Sequence, residues 1–145
     1  MEVEVLSPMQ TLAPGAEMSF TERWYCAQTA GPLVKVGAHA AIKTFPVAAC
    51  TGGQVTVTGE LGVFAPGQLV LEFRGEAGPL PATAALGATQ RVSPAAAVSL
   101  RLSAPVPNGA TKVAVVLKGG AGQTLGTIAE LPLPAPQGAT DALGG

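Results

Sequence analysis

The chain has 145 residues, the length of one ordinary domain, and 12% of them are charged, against about 25% in a typical globular domain. The formal net charge is −1, and the eight Lys and Arg residues are scattered singly, which excludes the basic stripe that nucleic-acid binding requires. No run reaches the roughly 18 apolar residues of a membrane helix, and the glutamates of MEVEV stand where a signal peptide carries positive charge, so we expect neither a membrane span nor Sec-type export.

Alternation of apolar and polar residues is the dominant pattern along the chain. In VSLRLS (98–103) every second residue is apolar, which is typical of a half-buried strand with one face on a core. Short segments of this kind, without helical segments between them, predict an all-β fold, a single antiparallel β-sandwich of about nine strands. The predicted strands are residues 2–6, 19–27, 33–36, 40–45, 54–64 (kinked at Gly59), 68–74, 98–103, 112–118 and 123–131.

The connections between these strands carry turn residues. Pro-Gly pairs at 14–15 and 66–67 predict type II turns, and Pro107-Asn108-Gly109 supplies residues that tolerate a positive φ. The alanine-rich stretch 82–88 is predicted as a loop with at most one helical turn, because prolines and glycines interrupt it. We therefore expect a sandwich domain at 1–131 and an extended Pro/Gly/Ala-rich tail at 132–145.

A resemblance to a known family rests on the second half of the chain. The strand 68–74, a loop, the strand 98–102 and the turn VPNGAT (106–111) lead into a Val-rich strand that stops at Gly119-Gly120. This order resembles galactose-binding-like, carbohydrate-module jelly-roll domains over residues 40–131. The resemblance implies a jelly-roll-like sandwich, of a type common in the tail and capsid accessory proteins of bacteriophages.

Side chains that could perform catalysis are scarce. His39 is the only histidine and Asp141, in the predicted tail, the only aspartate, so a catalytic triad could take its base only from His39 and its orienting partner only from a glutamate. Glu72 alternates with core residues and is expected to face solvent. Cys26 and Cys50 are interpreted as buried thiols that act as small hydrophobes, with a single disulfide as the alternative. We expect no catalytic residues, no metal site and no cofactor.

The resemblance to carbohydrate modules also points to sugar binding. An aromatic platform could come only from the adjacent pair Trp24 and Tyr25. Neighbours on a strand face opposite sides, so we expect one of the two to pack inward. Arg74 and Arg101 could bind sugar hydroxyls, although ion pairing with glutamates is an equal alternative. These four residues are the candidates for contact with a ligand or partner.

The expected function is structural. Near-zero net charge promotes association, so a surface this neutral is best understood as covered by other subunits; the alternative is that small neutral residues simply cover it. We expect a non-enzymatic virion protein of a tailed bacteriophage, assembled in the host cytoplasm. It would decorate the capsid or serve as a tail accessory, with other virion proteins and itself as partners. The alternative is a carbohydrate-binding module or receptor-binding tip.

Overall fold

The computed structural model describes residues 9–80 and 89–133 of the chain. These two ranges contain nine β-strands and no helix, which confirms the all-β class that the alternation predicts. The strands are β1 (Lys35–Val36), β2 (Ala40–Thr51), β3 (Gln54–Val63), β4 (Gly67–Gly75), β5 (Gly78–Pro79), β6 (Gln90–Val92), β7 (Val98–Pro105), β8 (Lys112–Lys118) and β9 (Thr124–Pro132).

The strands form two antiparallel sheets packed as a sandwich. Sheet A has the order β1-β2-β3-β7, and sheet B has the order β5-β4-β8-β9. The short strands β5 and β6 pair with opposite ends of β4, on the edge away from β8. Contacts of β2 with β9, and of β7 with β4 and β6, join the two sheets. The predicted β-sandwich is therefore confirmed.

The core lies between the sheets and follows the period of two. On β7 the residues Val98, Leu100, Leu102 and Ala104 are buried, while the residues between them are more exposed. The inward-facing residues of β4 and β8 in sheet B belong to the same core cluster. The largest fully buried side chains are Leu61, Leu69, Leu71, Leu100, Leu102, Leu117, Val55, Val57, Val63, Val113, Val115 and Val116.

The outer face of sheet B is covered by charged side chains. Val116 faces outward, apart from the core cluster, and yet is 0% exposed. The Lys118 ammonium lies 2.6 Å from the Glu72 carboxylate, so the Lys118 side chain crosses the sheet above Val116. Its aliphatic stem can therefore cover apolar surface while the ammonium remains in water. Arg74 and Lys112 both pair with Glu130 on β9. The outer face of sheet B therefore carries a row of solvent-exposed ion pairs, and the Lys118–Glu72 pair covers Val116.

The environment of Glu130 favours its charged form. The Lys112 ammonium donates a hydrogen bond of 3.1 Å to the carboxylate. This bond, aided by the charge of Arg74, holds the pKa of Glu130 below its ordinary value despite some desolvation. Glu130 therefore stays ionised at neutral pH and keeps both cations on the sheet.

Several boundaries differ from the sequence predictions. The predicted strand 19–27 is wrong, because these residues pair with no strand. Strand β2 is longer than predicted, and β5 and β6 were missed. Pro132, expected to begin the tail, pairs with Lys112 at the end of β9. The predicted strand 2–6, the loop 82–88 and the tail beyond Leu133 lie outside the described residues.

The predicted kink at Gly59 is also placed differently. Strand β3 runs without interruption, and the irregularity lies in β2, where the register shifts between Ile42 and Thr44 and again between Thr44 and Val47. A Cβ at Gly59 would lie 3.1 Å from the Cα of Pro46. Glycine lets the bulged strand lie close, and the bulge accommodates a proline within the sheet.

Gly67→Ala should destabilise the sandwich by roughly 1–3 kcal/mol. A Cβ at Gly67 would overlap the carbonyl oxygen of Lys118, which belongs to the paired backbone of β8 and cannot move alone. Urea denaturation measures the change in the free energy of unfolding. Gly120→Ala is the matched control, because a Cβ there meets nothing within 4 Å; equal effects of the two substitutions would contradict this account.

Candidate functional site

Exposed large hydrophobic side chains occur in only one part of the described chain. All eleven lie between residues 9 and 47, and none lies in the rest of the described residues. Scattered surface hydrophobics are normal, but a contiguous group marks an interaction surface. The eleven are Met9, Leu12, Met18, Phe20, Trp24, Tyr25, Leu33, Val34, Val36, Phe45 and Val47.

The first eight of these side chains belong to an irregular N-terminal segment, residues 9–34. We call residues 9–24 the arm and residues 25–34 the arm base. All residues of the arm are exposed, and its described backbone contains no strand. The expected turn at Pro14-Gly15 is present, with Gly15 at φ 83° and a hydrogen bond of 3.0 Å from the Ala16 amide to the Ala13 carbonyl. The arm therefore projects apolar side chains that its own sandwich does not cover.

The arm base is fastened to sheet A. The Gln28 amide donates to the Pro94 carbonyl at 2.7 Å, and the Val34 amide donates to the Ile42 carbonyl at 2.8 Å. The ring of Tyr25 packs on Phe64 with centroids 5.5 Å apart, a separation typical of favourable aromatic pairs. These contacts fix where the arm leaves the sandwich.

The outer face of sheet A is the second part of the apolar surface. Phe45 and Val47 of β2 are 50% and 58% exposed and border an open depression of about 360 Å³. Its opposite side is formed by Ser99 and Arg101 of β7. We call this surface the sheet A face.

One ion pair lies at the border of this face. The Lys43 ammonium lies 2.7 Å from the Glu60 carboxylate, and Thr44 donates a hydrogen bond of 3.1 Å to the same group. Both hydrogen bonds lower the pKa of Glu60, and the bond from Lys43 has the larger effect. The sheet A face therefore joins an apolar side to a charged and hydroxyl-bearing side.

The four residues predicted to contact a ligand or partner lie at different places. The expectation that one of Trp24 and Tyr25 packs inward is wrong: they are 58% and 57% exposed, because this segment is not a strand. The Trp24 indole donates to Glu22 at 3.0 Å. Arg101 borders the depression, whereas Arg74 lies on sheet B and pairs with Glu130. No single sugar site unites all four.

The remaining candidates for chemistry are also separated. Cys26 is exposed, so its interpretation as a buried thiol is wrong; Cys50 is partly buried against the core, and both are free thiols. The ring of His39 rests against β9 at Gly126, where any Cβ would overlap it. Within residues 9–80 and 89–133, no three His, Cys, Asp or Glu side chains are grouped so as to hold a metal ion.

Comparison of the chain with protein-family models, with curated proteins and with solved structures finds no match. In the described part of the chain there is also no helix that is long and apolar enough to cross a membrane. The arm and the sheet A face are therefore the features of the described chain that indicate an interaction surface.

Gly62→Ala should detach the arm base while leaving the core intact. Gly62 points outward from β3, and a Cβ there would lie 2.7 Å from the Gln28 carbonyl oxygen. We expect the Gln28 amide, which bonds to Pro94, to exchange hydrogen at least about tenfold faster, the change given by a loss of roughly 1.4 kcal/mol of local stability. Amide exchange followed by NMR measures this.

Gly37→Ala is the control for that experiment, because a Cβ at Gly37 has its nearest neighbour at an ordinary 3.8 Å. Unchanged protection of Gln28 in the Gly62 variant would show that the arm base is not held where the structure has it.

Proposed function

We propose that this protein is a non-enzymatic structural subunit of a tailed bacteriophage virion, either a capsid decoration or cement protein or a tail accessory, and that it acts through protein–protein interfaces. The single observation that carries the adhesive role is the confinement of all exposed large hydrophobics in the described residues to the segment 9–47. The assignment to a virion rests on the resemblance of residues 40–131 to the jelly-roll domains of phage accessory proteins.

Burial of this apolar surface against a neighbour would favour association. Removing apolar surface from water contributes about 25 cal/mol per Å², from which the ordering and association costs are subtracted. Aromatic side chains such as Phe20, Trp24 and Phe45 are enriched among the residues that dominate interface energies. A subunit could therefore be held by several small apolar contacts without any bound cofactor.

The sheet edges differ in their readiness to pair with a neighbour. The side chain of Gln90 donates to the Ser99 carbonyl at 2.9 Å and accepts from the Arg101 amide at 3.2 Å, so it occupies part of the edge of β7. Strand β9, by contrast, is nine residues long and is the last strand in the described order of sheet B. Such an edge offers main-chain hydrogen bonds to a neighbouring subunit.

The direct test is binding of the purified protein to the particles of the phage that encodes it. We expect co-sedimentation with either capsid shells or tails, and at least about tenfold weaker binding for Trp24→Ser and Val47→Asp, the loss typical of interface hot spots. Ala121→Asp, in the exposed turn between β8 and β9 and outside the edge strand, is the matched control and should bind normally. Failure of the wild-type protein to bind both shells and tails would overturn the proposed function.

The second candidate function is carbohydrate binding, at a receptor-binding tip or in a free module. The observation that favours it is the exposure of both Trp24 and Tyr25, since aromatic rings form the platforms on which sugars stack. A glycan array followed by calorimetry would reveal binding, which Trp24→Ala should abolish. Absence of binding across the array would exclude this candidate.

A further inference from the structure

We propose that the arm of one copy lies on the sheet A face of a second copy, with its aromatic side chains in the depression beside Phe45 and Val47. This inference rests on the proposed structural function, which requires a partner. It names that partner as a second copy of the same chain.

The arm contributes nothing to its own core. The core cluster and the hydrophobic residues packed against it begin at Ala40, so the sandwich is complete without residues 9–24. Met18, Phe20 and Trp24 are nevertheless between 42% and 58% exposed. An arm that is not needed inside its own sandwich is free to serve another.

The sheet A face has the shape and polarity to receive such an arm. Its depression of about 360 Å³ lies at the lower end of the range for ligand pockets, which suits an aromatic side chain. Phe45 and Val47 form the apolar side, and the Arg101 guanidinium on the opposite side can stack on an aromatic ring. Both sides of the depression can therefore contact an aromatic ring of the arm, by apolar packing on one side and by stacking of Arg101 on the other.

The two surfaces have opposite net charge. The arm carries Glu17, Glu22 and Arg23, a net charge of −1. Around the depression, Lys43 and Glu60 compensate each other, and Arg101 leaves a net charge of +1. Arg101 is in none of the ion pairs of the described residues. Opposite charge favours the approach of an arm to a face over contact between two arms or two faces.

Reach and stoichiometry also favour a second copy. Residues 16–24, which follow the turn at Pro14-Gly15, span up to about 30 Å when extended, close to the roughly 35–38 Å diameter that the radius of gyration of a domain this size implies. Each copy brings one arm and one sheet A face, so exchange of arms covers both without any other component.

Complementation between two variants tests this arrangement. Phe20→Asp damages the arm but leaves the face, and Phe45→Asp damages the face but leaves the arm. Both sites are exposed, so the variants should keep the thermal stability of the wild type. Analytical ultracentrifugation of the full chain should show self-association of the wild type and at least about tenfold weaker association of each variant alone. An equimolar mixture of the two should regain association, because an intact arm then meets an intact face.

Several results would overturn the inference. A wild-type protein that stays monomeric at high micromolar concentration would exclude a second copy as the occupant and point to another virion protein. Loss of association in only the arm variant would mean that arms meet arms, and loss in only the face variant would mean that faces meet faces. Loss in both variants without recovery in the mixture would exclude a contact between an arm and a face. Ala121→Asp in the turn between β8 and β9 should have no effect, and a loss there would place the interface elsewhere. Because the protein is tested alone, this inference and its binding to phage particles can fail independently.

Discussion

The arrangement of apolar side chains depends on one constraint: two sheets can bury only their facing sides. Alternate residues of β3, β4, β7 and β8 supply most of the buried core, and within the described residues the core begins at Ala40. The large hydrophobic residues of the arm, and those that point out of β2, lie outside it. In water such residues are costly to expose as a group, so their position outside the sandwich is the feature that requires an explanation in terms of other molecules.

The two outer faces of the sandwich show how the chain deals with exposed sheet surface. On sheet B the Lys118–Glu72 pair crosses the row that contains Val116, and Glu130 pairs with Arg74 and Lys112 farther along the sheet. Exposed ion pairs add little to stability, but the stems of their side chains cover apolar surface. On sheet A, Lys43 with Glu60 is the one ion pair among the described residues, and Phe45 nearby is half exposed. The outer face of sheet B thus presents ion pairs to solvent, whereas that of sheet A also presents apolar side chains.

The sequence predicted the fold better than the candidate site, for physical reasons. Strands β4, β7, β8 and β9 were found because charged or hydroxyl residues alternate with core residues, so the pattern distinguishes the two faces. In β2 that pattern fails: apolar residues stand on both sides of AAIKTFPVAAC, and two bulges break the period, so Phe45 and Val47 were not recognised as surface residues. The aromatic segment 19–27 favoured a strand by composition, but a strand also needs a neighbour to pair with, and composition does not reveal one.

The central claim is that the arm and the sheet A face are covered together by another molecule. Hydroxyl-radical footprinting tests it most directly, because it measures the accessibility of individual side chains. Labelling should be compared between the dilute protein and the complex it enters, whether a homo-oligomer or a phage particle. We predict that Phe20, Trp24 and Phe45 react several-fold more slowly in the complex, while the outer face of sheet B is unchanged. Equal labelling of these three residues in both states, or protection confined to sheet B, would contradict the account.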